Sequence, residues 1–212
     1  MESVKLFSID EETFQSRMKF TNPEVLAPYI ESGQSFLAVG YHYNNWEYFA
    51  SACNISIGGH QGYGIYTPIQ NAFMAKKFAE SRTRTGVILL AKKETKAFFD
   101  DPKHPFVVFF GSDQSPSKGK KAFETTFLGR KTRVQFGLEK YAVEHNLPVV
   151  DFIIKKVKRG HYEATYRLLC DDPSKTQYGD ISKMHCEALE KLILEEPRYW
   201  LWSHKRWKGM EE

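Results

Sequence analysis

An α/β fold is predicted, with a mostly parallel central sheet flanked by helices and a late antiparallel hairpin. Three observations carry this. Short apolar runs such as Phe36-Leu37-Ala38-Val39 and Phe106-Val-Val-Phe-Phe110 read as buried strands. Segments with helical spacing lie between them, the pattern of βα units that build parallel sheets. The last two apolar runs instead alternate around Arg159-Gly160, a hairpin signature. No repeat, low-complexity tract or linker divides the 212 residues. One domain is expected over 1–212, with a helical lead-in over 1–34 and a catalytic core over 35–208.

The elements follow in order. Residues 10–31 read as helix in two pieces broken at Asn22-Pro23, with Asp10 as an N-terminal cap followed by Glu11 and Glu12. Residues 35–41 form the first strand, and a helix follows from about 45 to 54. Residues 62–66 are the second strand, 70–84 a helix, 86–90 the third strand, 93–100 a short helix and 105–110 the fourth strand. The segment 111–119, rich in Ser, Pro, Asp and Gly, reads as an active-site loop. Residues 121–127 look extended and 132–146 helical. The hairpin follows over 148–155 and 162–169, then a long helix over 174–195 that stops near Pro197.

Composition narrows the function classes. Hydrophobic residues make up 42 % and charged residues 26 %, ordinary for a folded domain. Aromatics reach 15 %, which favours contact between apolar and wet surroundings. The net charge of +4 is too mild for a nucleic-acid binder. Cys53, Cys170 and Cys186 are widely spaced and show no zinc pattern, so they read as reduced, buried thiols. His60, His104, His145, His161, His185 and His204 show no ligand spacing, and no metal is expected. No signal-peptide core opens the chain, and its longest apolar runs fall far short of the roughly 20 residues of a membrane span.

The chemistry concentrates in Gly40-Tyr-His-Tyr-Asn-Asn-Trp-Glu47. A buried strand here delivers His42 to a sheet edge. Asn44 or Asn45 then caps a helix starting at Trp46, which puts Glu47 in the first turn. That geometry folds the carboxylate back onto the imidazole. A carboxylate on one ring nitrogen fixes the tautomer and leaves the other as a base for a hydroxyl.

These residues resemble a known family. His42-x4-Glu47 is similar to the HX4(D/E) signature of glycerolipid and lipid A acyltransferases, and Gly40 to Glu47 looks like the "HFGNWE" form of bacterial lipid A biosynthesis acyltransferases. Further blocks match in order. Tyr66-Thr-Pro-Ile-Gln-Asn71 resembles Y-(R/K)-P-L-x-N. Ser81-Arg-Thr-Arg-Thr-Gly86 resembles an arginine-rich stretch. Asp113-Gln114 matches an Asp-Gln pair, Phe123 to Gly129 a V-x-F-F-G segment, and Leu147-Pro-Val-Val a G-A-P-V-V-P segment. Glu196-Pro-Arg-Tyr-Trp-Leu-Trp-Ser-His-Lys-Arg-Trp-Lys208 is similar to P-E-Q-W-L-W-x-H-R-R-W-K. The resemblance covers about 35–208. It departs in two places. The hydrophobic N-terminal helix that family members carry is absent here, so a shortened chain is expected. Thr67 stands where the second block has a basic residue.

The resemblance implies a glycerolipid-acyltransferase-like fold and transfer of a fatty acyl group to a lipid hydroxyl. It implies acyl-carrier protein as donor, the acyl thioester as co-substrate, and no cofactor. The implied acceptor is a lipid A precursor at a membrane surface, on the cytoplasmic side of a bacterial inner membrane. Attachment there would be peripheral or through an N-terminal anchor outside this chain. His42 would deprotonate the hydroxyl as it attacks the thioester, an effect of ~10²–10⁴-fold, and Glu47 would steady the imidazolium. Attack is direct, since no Ser or Cys sits in a nucleophile elbow. Arg82 and Arg84 would bind phosphates. Asn45, Tyr66, Asn71, Asp113 and Gln114 would line the site, with Asp113 on an arginine or a sugar hydroxyl.

Other readings remain beside these. The acceptor is alternatively a lysophospholipid, glycerol-3-phosphate or an aminolipid, or the chain is a silent lipid- or carrier-binding module. Arg82 and Arg84 also fit a solvated helix face, and Asp113-Gln114 a structural turn. Trp200, Trp202 and Trp207 fit core packing with cation–π partners Lys205 and Arg206, or a membrane-interface foot. Lys118, Lys120 and Lys121 fit contact with an acidic carrier protein.

Overall fold

A computed structural model describes residues 2–210 apart from 118 and 209, with the side chains of Glu2 and Ser3 also left out. A short helix α1 (Glu2–Lys5) and α2 (Glu11–Ser16) open the chain. Asp10 caps α2 as expected, accepting the Thr13 N–H at 2.8 Å. Strand β1 (Met18–Phe20), a 3₁₀ turn at Pro23–Leu26 and α3 (Ala27–Ser32) complete the lead-in. The core then runs β2 (Phe36–Gly40), α4 (Trp46–Ala52), β3 (Gln61–Tyr66), α5 (Ala72–Thr83), β4 (Ile88–Ala91), α6 (Thr95–Asp100) and β5 (Phe106–Gly111). After it come β6 (Ala122–Phe127), β7 (Arg130–Gln135), α7 (Gly137–Glu144), β8 (Val149–Lys158), β9 (His161–Cys170) and α8 (Asp180–Glu195).

Among the described residues seven strands form one sheet in the order β1-β9-β8-β2-β5-β3-β4. Strands β8, β2, β5, β3 and β4 run parallel to one another, while β9 is antiparallel to β8 and carries β1 parallel to itself. The expected fold is thus the observed one. All five residues of β2 are buried, because helices cover both sheet faces at this central strand. Phe36, Ala38, Val107, Val150 and Phe152 face α4 with Tyr48 and Phe49. Leu37, Val39, Val108 and Val149 face α7 and α8 with Leu138, Tyr141 and Ile181.

Three expectations are corrected. Residues 18–20, read within a helix, form edge strand β1, pairing Met18 with Tyr162. Three residues are too few to display a period. Residues 130–135, partly read as helix, form β7 and pair with β6 as a separate hairpin. Thr132 and Val134 are buried between exposed or half-buried neighbours, the period of a strand. Its turn is Leu128-Gly129, with φ of 49° and 72°, the two positive values of a primed turn that matches strand twist. The long helix also begins later than expected, at Asp180. There the buried carboxylate of Glu139 accepts the N–H groups of Gly179 and Ser182 and supplies the anion that a helix N-terminus favours.

The parallel strands end together, so β2, β5, β3 and β4 bring Tyr41-His42, Ser112-Asp113, Tyr66 and Lys92 to one edge, where α/β sheets bind ligands. Gly40 is required just before this edge. A Cβ there would lie 1.9 Å from Phe152 Cζ, and the Phe152 ring stacks on Phe49 with centroids 3.5 Å apart. Gly40→Ala is therefore expected to destabilise the fold by roughly 1–3 kcal/mol, read as a lower midpoint in denaturant. An unchanged midpoint would mean that the stack yields freely.

Candidate active site

His42 leaves the end of β2 at the one edge of the sheet where its ring can face a pocket. The loop behind it turns sharply because Asn44 sits in the left-handed region at φ 56°, which Asn tolerates better than most residues. The C-terminal segment holds that loop from outside. The Leu201 N–H donates to the His42 carbonyl at 3.0 Å, and the Asn44 N–H donates to the Tyr199 carbonyl at 2.8 Å. Tyr43 and Trp200 form an antiparallel bridge between them.

Asp113 follows β5, the neighbour of β2, and is buried. Its Oδ1 lies 2.6 Å from His42 Nδ1. Its Oδ2 accepts the His42 backbone N–H at 3.0 Å and the Trp200 indole N–H at 3.1 Å. Burial alone would push this carboxyl up. The hydrogen bonds and charge of His42, with the Trp200 donor, outweigh it and hold the group below the usual carboxylate range. An ionised Asp113 favours the proton on Nδ1 and leaves Nε2 with a lone pair. The tail steadies this loop too, since the Ser115 N–H donates to His204 Nε2 at 3.0 Å.

The carboxylate on the imidazole is therefore that of Asp113, and the expectation for Glu47 is corrected. Glu47 sits in the first turn of α4 as foreseen. There it faces Arg82 on α5, which donates from Nε at 3.0 Å and from Nη2 at 2.6 Å. The Trp46 indole N–H adds a third bond at 3.2 Å. A guanidinium fork satisfies both carboxylate oxygens, which a single ring nitrogen does not. Trp46 itself lies edge-on to the His42 ring, with centroids 5.3 Å apart.

His42, Glu47 and Arg82 line a pocket of about 680 Å³. Its inner walls are apolar, built from Phe49, Cys53, Val87, Leu89, Phe109 and Phe152, and its lining also takes in Lys92, Lys120, Lys121 and Lys140. Tyr66 and Gln114 also line it. Three other expected site residues lie elsewhere. Arg84 points to the lead-in, where it donates to the Ile9 carbonyl at 3.2 Å and lies 4.7 Å from the centre of the Phe14 ring. Asn71 caps α5 by accepting the Met74 N–H at 3.0 Å. Asn45 is buried at the N-cap position of α4 but makes no capping hydrogen bond there, and the Asn44 side chain donates to the Ile154 carbonyl instead, so the expected cap is corrected. Neither asparagine nor Arg84 is among the pocket-lining residues.

Sequence reasoning missed the role of Trp200. Its signal was the buried indole itself, whose lone N–H needs an acceptor. Trp200 is core, as the packing reading had it, whereas Trp202 is half exposed. The cation over a tryptophan is Arg130 rather than the expected Lys205 or Arg206. Arg130 lies over Trp207 at 5.3 Å, and Arg206 lies over Phe127 at 5.5 Å while donating to Thr132 Oγ1 at 2.7 Å. Burial pushes the Cys53, Cys170 and Cys186 thiols up, which makes them poor nucleophiles. Lys118 lies outside the described residues.

The depressed Asp113 carboxyl contributes stability that is present above its ordinary value of 3.8 and lost as pH falls through the lower folded value. The stability gap between the wild type and Asp113→Asn is thus expected to hold near neutrality and to close below about pH 3.8. Denaturant melts across that range check it, and a gap independent of pH would show that the charge is not what matters.

The fold and site can be compared with known proteins. No helix among the described residues is long and apolar enough to cross a membrane. A comparison with curated proteins finds no match. A family model described as bacterial lipid A biosynthesis acyltransferase matches residues 1–209. With that match over nearly the whole length, the chain belongs to the bacterial lipid A biosynthesis acyltransferase family.

Proposed function

We propose that this chain transfers a fatty acyl group from acyl-carrier protein to a hydroxyl of a lipid A precursor, with His42 as general base and Asp113 as the residue that orients it. The observation that carries this reading is the 2.6 Å contact of His42 Nδ1 with Asp113 beside an apolar-walled pocket. Membership in an acyltransferase family supplies the reaction class.

The acceptor hydroxyl approaches Nε2 of His42. As its oxygen attacks the thioester carbonyl, its proton passes to Nε2, and the imidazolium is stabilised by Asp113 across Nδ1. The tetrahedral intermediate collapses, the C–S bond breaks, and the departing thiolate takes the proton back from Nε2. The product is an ester and a free thiol, and no acyl-enzyme intervenes. The acyl chain lies against Phe49, Val87, Leu89 and Phe109. The Glu47–Arg82 pair forms a polar section of the same wall.

Lys92, Lys120, Lys121 and Lys140 suit the acidic surface of a carrier protein and the phosphates of both substrates. The acceptor is a membrane lipid, so we put the reaction at the cytoplasmic surface of a bacterial inner membrane, with the domain peripheral to it or held there through an N-terminal anchor. The chemistry needs no metal or cofactor beyond the thioester.

His42→Ala is expected to abolish transfer to a lipid A precursor at an unchanged melting temperature, and retained turnover would end this mechanism. Asp113→Asn should lower kcat by about 10²–10⁴-fold and move the pH–rate profile. Glu47→Gln should weaken the fold through the unpaired Arg82 and leave that profile in place. A moved profile in Glu47→Gln, with none in Asp113→Asn, would return the orienting role to Glu47. Mass spectrometry of lipids from a deletion strain tests the acceptor, and unchanged lipid A acyl chains would point to another lipid.

A further inference from the structure

Two glycines in β3 shape the floor of the apolar slot, one leaving its space open and the other having it filled. Gly62 and Gly64 lie two residues apart and so share the sheet face that α4 covers. They meet different surroundings. A Cβ at position 62 would lie 2.6 Å from Asn54 Oδ1 and 3.2 Å from Ile57 Cδ1, so that space is filled. Asn54 is fastened there, accepting the Gly62 N–H at 3.1 Å and donating to the Thr85 carbonyl at 2.8 Å. A Cβ at position 64 would meet only Val87 Cγ1 at 3.6 Å and Leu89 Cδ2 at 3.8 Å, ordinary contacts beside open space.

Gly64 pairs with Phe109 of β5 on one side and Leu89 of β4 on the other, so the three form a row across the sheet. All three line the pocket, as do Cys53 and Val87, whereas Gly62, Asn54 and Ile57 do not. Phe109 lies two residues before Gly111, whose position a Cβ would place 3.4 Å from His42 Cε1. At about 3.3 Å per residue the Gly64 row is roughly 7 Å back from the reacting end, and the Asn54 plug roughly 13 Å back.

We infer that Gly64 is the residue that sets how long an acyl chain this pocket accepts. The missing side chain leaves a channel over the middle of the floor, and methylenes beyond the first few pass across it toward the Asn54 plug. The inference rests on the acyl-transfer reading for its ligand and adds a length-determining position to it. The backbone at Gly64 lies outside the left-handed region, so a larger residue fits a strand there without strain.

The test measures binding of a series of fatty acids, from octanoic to stearic, to wild type, Gly64→Ala and Gly64→Leu by displacement of a fluorescent fatty acid. Gly64→Leu should lose affinity for the longest chains roughly tenfold or more, the effect of leaving about two methylenes in water. Octanoic acid should bind all three proteins alike, and Gly64→Ala should fall between them, with melting temperatures confirming native folds. If Gly64→Leu does not fold, the graded shift in Gly64→Ala decides. A length profile identical in the folded variants, or a wild type that binds no fatty acid, would overturn the inference. Transfer from carrier-protein thioesters is assayed separately. Chain binding without transfer in the wild type would count against the proposed reaction and leave the length-setting position standing.

Discussion

One buried carboxylate organises the reactive edge of this molecule. Asp113 accepts a backbone N–H and a ring contact from His42, and an indole N–H from Trp200. His42, Asp113 and Trp200 arrive from three parts of the chain: the loop after β2, the loop after β5, and the C-terminal tail. An ionised carboxylate in a buried position is tolerated only when such donors replace water. The same requirement that keeps Asp113 charged fixes the height of the His42 loop, the rotamer of its ring and the path of the tail. A site built this way is preorganised by its own desolvation, since loosening any one donor leaves the charge short of partners.

The parallel sheet supplies what the carboxylate cannot, a surface of controlled depth. Gly40, Gly62 and Gly64 all withhold a side chain on the α4 side of the sheet, and the space each leaves is used differently. Phe152 takes the first and Asn54 the second. The third stays open to the pocket. Small residues in strands generally weaken them. Here the loss is offset by a sheet closed on both faces around β2, where every residue is buried. The His42 imidazole at the sheet edge and the floor that Asn54 fills at Gly62 thus belong to one packed unit.

Much of this was legible from residue order. The βα alternation, the late hairpin around Arg159-Gly160, the Asp10 cap and the position of His42 at a strand end all follow from local patterns, and the structure has them. Strand β1 was hidden by brevity, and β7 by its charged residues, which occupy the exposed positions of a strand and read as a helix face. The site was legible by residue and not by partner. Asp113 was singled out, yet its place against His42 depends on β5 lying next to β2, a neighbour relation that no spacing encodes. Arg84 and Arg82, two residues apart on a helix, point in different directions, and only Arg82 reaches the pocket.

The spacing of His42 and Glu47 shows why proximity in sequence misleads here. Four residues between a base and an acid suggest a pair, and a turn into a helix brings the two near the same edge. The helix start then decides against it. Once Trp46 opens α4, the Glu47 side chain is carried toward α5, where Arg82 offers two donors in a plane. A bidentate partner with a permanent charge outcompetes a single imidazole nitrogen for a carboxylate. The imidazole is left to the acid that also holds its backbone. The motif therefore encodes two linked tasks. His42 is held at the pocket by Asp113, and Glu47 anchors the Arg82 guanidinium of α5 beside α4. Their fixed separation makes sense as the distance between those two anchors, set by one loop and the first turn of a helix.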